Sequence, residues 1–148
     1  MSGLTIYEFL VFNAKDKLLF YEDLKKSNML PQTEIINALD KTQVHRIENI
    51  SGISEATKSL VEKLSPTPIM TFRYFTTNRY KYNMFELQTG LKFILITGVD
   101  TYDYYDSLSV IYTDAYVEYI TRNILNRKDE IIENIDFREK VKEILKQL

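Results

Sequence analysis

The chain has 148 residues, 19 basic and 21 acidic, for a net charge of -2, and no cysteine. That length suits one domain over residues 1–148 and buries roughly 68–70% of the unfolded surface, enough for a core without staples. The absent cysteines exclude disulfides, zinc–thiolate sites, cysteine nucleophiles and lipidated cysteines, and lean towards a reducing compartment. The near-neutral charge speaks against electrostatic binding of nucleic acid or anionic lipid. No apolar run is long enough to span a membrane, and Met1–Leu4 lacks the basic start of a signal peptide.

In chain order, Leu4–Phe12 is a strand with both faces apolar: Leu4, Ile6, Leu10 and Phe12 on one, Tyr7, Phe9 and Val11 on the other. Such a strand belongs in the middle of a sheet covered on both sides. Asn13–Asp16 is a turn and Lys17–Glu22 a second strand, which makes a hairpin. Asp23–Pro31 is polar and reads as loop. A helical pattern starts at Thr33 and is plain from Val44, with Val44, Ile47, Ile50, Ile53, Thr57, Leu60, Val61 and Leu64 on one stripe. Ser65-Pro66-Thr67-Pro68 ends it.

Three strands follow: Ile69–Phe75, Arg79–Leu87 and, after a Gln88-Thr89-Gly90 turn, the nearly all-apolar Leu91–Thr97. Asp103 is the expected N-cap of a helix carrying Tyr105, Leu108, Ile111, Tyr112, Ala115, Tyr116, Tyr119 and Ile120. Arg122–Glu133 is a charged connector. Asp136 is the expected N-cap of a last helix with Phe137, Val141, Ile144, Leu145 and Leu148 inward, helped by an Asp136/Lys140 pair. The fold class is α+β, a five-stranded antiparallel-type sheet in the order β-β-α-β-β-β-α-α with helices on both faces.

Catalytic constellations are missing. His45 is the only histidine, expected to be exposed, and a general base needs a positioned partner. Asp100, Asp103 and Asp106 lack the glycine and closing glutamate of a calcium loop. Four scattered glycines, at 3, 52, 90 and 98, cannot cradle a phosphate. No catalytic, cofactor-binding or metal residue is assigned, and no cofactor is expected. Positive signs point to protein–protein contact. Eleven tyrosines suit half-buried surfaces, and the long helix has more apolar positions than one stripe needs, with Gly52 set among them.

The stretch Thr77-Asn78-Arg79-Tyr80-Lys81-Tyr82, then Glu86, then Thr89-Gly90-Leu91-Lys92-Phe93, resembles the small longin-like (SNARE-like, sybindin/sedlin-type) subunits of the TRAPP vesicle-tethering complex. Leu4–Tyr21 resembles the family's opening strand, turn and second strand. Leu60–Pro66 resembles the end of its first helix, and Ile111-Tyr112, Tyr116-Val117-Glu118 and Asn123 its long second helix. Gly52 falls where the family carries a glycine in its first helix. The Arg-Tyr-Lys and Tyr-Val-Glu matches are those of the subunit-one (Bet-five) type. The chain departs from the pattern at Asn123-Ile124, where the family has Asn-Pro, and over Lys25–Thr42, which is longer.

The resemblance implies a longin fold and a non-enzymatic core subunit of a complex that acts as guanine-nucleotide exchange factor for a Rab GTPase in ER-to-Golgi vesicle transport. It implies other TRAPP subunits as direct partners, the Rab through the assembled complex, and only indirect membrane association. The location it implies is cytoplasmic, peripheral at the cis-Golgi and endoplasmic reticulum. The partner-binding residues expected are Ile47, Ile50, Gly52, Ile53, Arg79, Tyr80 and Lys81. Competing identities are a sibling of the sedlin or sybindin type, an adaptor-complex small subunit, a longin-domain SNARE and a small α/β enzyme.

Overall fold

The computed structural model describes residues 6–25, 30–64, 73–99, 102–123 and 130–148. Leu4, the Ser65–Pro68 helix stop, the start of the strand at Ile69, Asp100, Ile124 and half of the Arg122–Glu133 connector lie outside them. Five strands form one antiparallel sheet: β1 (Ile6–Phe12), β2 (Leu18–Asp23), β3 (Tyr74–Thr76), β4 (Tyr80–Glu86) and β5 (Lys92–Gly98), in the spatial order β2-β1-β5-β4-β3. The two strands with the longest apolar runs, β1 and β5, are central, as two-sided apolarity requires. Helices cover both faces. They are α1 (Gln32–Asn37), α2 (Lys41–Leu64), α3 (Tyr105–Ile111) with a π-helical continuation (Tyr112–Thr121), and α4 (Ile135–Lys146).

One cluster holds Phe9, Val11, Phe20, Phe93 and Leu95 under Leu108, Ile111, Ala115, Phe137, Val141 and Leu145 of the C-terminal helices. The other holds Leu10, Phe12, Tyr21, Met84, Ile94 and Ile96 under Ile47 and Ile50 of α2, with Ile35 and Ile36 of α1 at its margin. The alternation expected for β1 fails at its start. The register against β5 shifts between Ile6 and Glu8, and Ile6 packs with Phe9 and Val11 while Tyr7 packs with Leu10 and Phe12. A bulge of this kind breaks strict alternation locally and re-aims side chains.

The Asn13–Asp16 turn forms because the Asn13 carboxamide oxygen accepts the backbone N–H groups of Lys15 and Lys17, each at 2.9 Å. The second hairpin turn needs its glycine. Gly90 has φ +94°, and a Cβ there would sit 2.4 Å from the Ala14 Cβ.

Four local expectations are corrected. The helix begun at Thr33 is two helices, α2 starting where the Asp40 carboxylate accepts the Gln43 N–H at 2.8 Å. The cap of α4 is Asn134, whose Oδ1 accepts the Phe137 N–H at 2.9 Å, two residues before Asp136. The capping position of α3 is Tyr104; Asp103 lies one residue earlier and accepts the Tyr105 N–H at 3.0 Å. Lys140 pairs with Glu143 at 3.6 Å rather than with Asp136. Widened winding alters the burial along the continuation of α3. Its buried positions step from Ile111 to Ala115 to Ile120, and Arg122 N–H reaches back five residues to the Val117 carbonyl at 3.1 Å.

Candidate interaction surface

The single stripe expected on α2 divides into two lines. The line facing the sheet is Ile47, Ile50, Ser51 and Ser54. Both serines are satisfied: Ser54 Oγ donates to the Ile50 carbonyl at 2.7 Å and Ser51 Oγ to Asp16 Oδ1 at 2.8 Å. Ile53, Leu60 and Leu64 leave that line and stand 52%, 57% and 74% exposed. Spacings of seven and four residues place them on one outward flank of the helix. Gly52 is also outward, and a Cβ added there would meet nothing within 4 Å.

The seven expected partner residues therefore separate. Gly52, Ile53 and Arg79 are exposed and Tyr80 is half-buried. Ile47 and Ile50 are corrected: at 4% and 5% exposure their side chains are spent on the sheet and offer a partner no surface. Lys81 is corrected too. As the strand neighbour of Tyr80 it points to the opposite face, where it is 1% exposed. Its Nζ donates to the Tyr102 carbonyl and lies 4.2 Å from the centre of the Tyr74 ring. His45 is exposed, as expected.

The two sheet edges differ. The outer side of β2 is covered, because Gln32 Oε1 accepts the Tyr21 N–H at 2.8 Å and the Ile132 N–H donates to the Leu19 carbonyl at 2.8 Å. β3 is the other end of the sheet and no described residue pairs beyond it. Its inward pairing runs through the Arg73 carbonyl and the Thr77 N–H, so the backbone groups of Tyr74 and Thr76 face outward. An open edge is a template for another strand.

Charged anchors on the α2 side escape any sequence pattern, since their partners are distant in the chain. Arg46 Nη2 meets Glu8 Oε2 at 2.6 Å, and the Tyr21 hydroxyl donates to the same oxygen. Burial and the Glu8 carboxylate push the Tyr21 hydroxyl well above the usual phenol range. Burial works against the Arg46 charge, but Glu8 outweighs it and raises that pKa. Further along α2, Lys58 pairs with Glu86. The almost fully buried Lys92 bridges Glu55 at 2.6 Å and Asp16 at 3.1 Å. Beside the Arg46–Glu8 pair, a cleft of about 290 Å³ is lined by Tyr7, Tyr80 and Tyr82 among others. Among the described residues no group of three or more His, Asp or Glu could hold a metal ion, and no helix is long and apolar enough to cross a membrane. The described residues present an outward apolar flank, a strand edge with no described partner and a tyrosine-lined cleft.

The family model of the Sybindin-like family matches residues 6–148. Transport protein particle subunit bet5 of Schizosaccharomyces pombe is 26% identical over 124 residues, 82% of this chain and 79% of that protein. Trafficking protein particle complex subunit 1 of Dictyostelium discoideum is 24% identical over 97% of this chain and 96% of its own. The human protein of the same name is 25% identical over 98% and 94%.

Proposed function

The chain belongs to the Sybindin-like family, and from that premise we propose that it is a non-catalytic subunit of a trafficking protein particle complex. The observation that carries this is the similarity, along nearly its whole length, to proteins named as subunits of that complex. Within the complex, the chain contributes to a composite surface that accelerates guanine-nucleotide exchange on a Rab GTPase of ER-to-Golgi transport. It works at the cis-Golgi and endoplasmic reticulum and reaches membranes through its neighbours. Subunit contact is made by the outward flank of α2, with Gly52, Ile53, Leu60 and Leu64, beside Arg79 and Tyr80. Exposed apolar side chains gathered on one helix flank favour this, because water penalises them until a partner covers them.

Affinity purification of the tagged protein from its own cells, followed by mass spectrometry, tests the reading. Stoichiometric recovery of chains similar to other trafficking-particle subunits is expected. Recovery with large adaptin chains instead, or elution as a monomer, would overturn it. The exchange step has its own test. GDP release from the cognate Rab with the isolated chain should equal the protein-free rate and should accelerate with the assembled complex.

A further inference from the structure

We infer that the cleft lined by Tyr7, Tyr80 and Tyr82 takes a single lysine or arginine side chain of a partner protein, and that Lys25 of this chain occupies its rim until the partner arrives. Three rings shape the cleft. Tyr7 and Tyr80 meet edge-on at 5.3 Å between centroids and 90°, and Tyr80 and Tyr82 at 6.4 Å and 72°. Rings set at steep angles present faces and edges to one small volume, here about 290 Å³. The face of a tyrosine attracts a cation. The chain already uses that attraction, for the exposed Lys25 holds its ammonium 4.7 Å from the centre of the Tyr7 ring.

Charge defines the occupant. Among the described residues, the charged side chains lining the cleft are Glu8 from β1, Asp23 from β2, Lys25, and Arg46 from α2. Arg46 is committed, with Nη2 on Glu8 at 2.6 Å and Nε on Gln43 Oε1 at 3.1 Å. Those two charges cancel at contact distance. Asp23 and Lys25 remain. Asp23 Oδ1 accepts the Lys25 backbone N–H at 3.0 Å, and among the described charges lining the cleft only Lys25 stands to balance it, so if the Lys25 side chain withdraws the cleft presents one carboxylate beside three tyrosine rings. That complement fits one cation. A carboxylate also rewards N–H donors, which favours an ammonium or guanidinium group over a quaternary ammonium.

The test is a nuclear magnetic resonance titration of the full chain at fixed ionic strength. The probes are a capped tripeptide with central arginine, its lysine counterpart and tetramethylammonium chloride. Saturable shifts of the Tyr7, Tyr80 and Tyr82 ring signals are expected with at least one of the peptides. Lys25→Ala, at an exposed position, should tighten peptide binding by about two- to five-fold, the size of an exposed cation–π contact. Asp23→Asn should weaken it by a similar factor, and tetramethylammonium should bind less well than the better peptide. Any of three results overturns the inference: no saturable shift in either the parent or Lys25→Ala protein, Lys25→Ala affinity unchanged or lower, or tetramethylammonium binding as well as the better peptide.

Discussion

Two glycines show how one residue type does opposite work. Gly90 sits at φ +94° against Ala14, and both facts forbid a side chain. Gly90→Ala should destabilise by about 1–3 kcal/mol from the backbone alone, and the 2.4 Å clash adds to it. Thermal or urea unfolding of the purified variant measures this; an unchanged midpoint would show that the two hairpin turns do not touch. Gly52 lies in a helix with open space around it. Replacing it with leucine gains helix propensity, so the isolated Gly52→Leu chain should be as stable as the parent or up to about 1 kcal/mol more so. The same bulk stands where the proposed partner must fit, so recovery of neighbouring subunits should fall. A lower midpoint, or unimpaired assembly, would remove Gly52 from the interface.

Elements are held to the sheet by apolar stripes and by a few charged bolts. Leu145 is buried on α4 beneath the phenylalanine-rich cluster. Leu145→Asp places an unpaired carboxylate there and should cost several kcal/mol, enough to unfold a marginally stable chain. Cooperative melting at the parent midpoint would mean α4 is not docked. The same helix is bolted to β2 by Arg138, whose Nε donates to the buried Glu22 Oε1 at 2.7 Å and whose Nη1 donates to the Leu30 carbonyl at 2.7 Å. Glu22→Ala should cost about 1–3 kcal/mol, because it takes the carboxylate from a nearly buried guanidinium that keeps the Leu30 carbonyl. Denaturant midpoints of Glu22→Ala and of the Glu22→Leu/Arg138→Met double variant separate the cost of breaking the pair from its net worth; the double variant should recover most of the loss. On the opposite face, Asp16 ties the first turn to α2. Partial burial opposes its ionisation, but the Ser51 hydroxyl and the Lys92 ammonium prevail and hold the carboxyl below its usual 3.8. A lowered pKa stabilises the fold above the unfolded-state value and is lost as pH falls through the folded one. Acidification below about 4 should therefore erode stability less in Ser51→Ala than in the parent, as melting curves against pH would show.

At the scale of the molecule, the two ends of the sheet differ. α1 and Ile132 close the β2 edge, while no described residue pairs beyond β3. The outward flank of α2 adds exposed isoleucine and leucine on the helix that covers the second cluster. Exposure on that flank has a direct consequence. Ile53→Asp and Leu60→Asp should leave the unfolding free energy of the isolated chain within about 0.5 kcal/mol of the parent, since surface changes rarely exceed that. They should abolish recovery of partner subunits in a pull-down. Folding losses in these variants would show that the flank is packed within the chain, and intact recovery would move the interface elsewhere.

The order of elements was legible in the residues themselves. Apolarity on both faces of Ile6–Phe12 and Lys92–Gly98 can be satisfied only at the centre of a covered sheet, so strand placement followed from composition. The family was legible in Arg79-Tyr80-Lys81 and Thr89-Gly90-Leu91 with their neighbours, and residues 6–148 match it. Tertiary structure alone decided which apolar residues of α2 stay outside. A 24-residue helix on a sheet has a buried line only as wide as its contact, and the period of the sequence does not say where that line falls. Structure alone also turned Lys81 inward beside an exposed Arg79, and brought Glu8 to Arg46, Glu22 to Arg138 and Asp16 to Lys92. Such pairs join residues 38 to 116 apart. No local spacing encodes them, because the charges meet only after the sheet has set the distances between them.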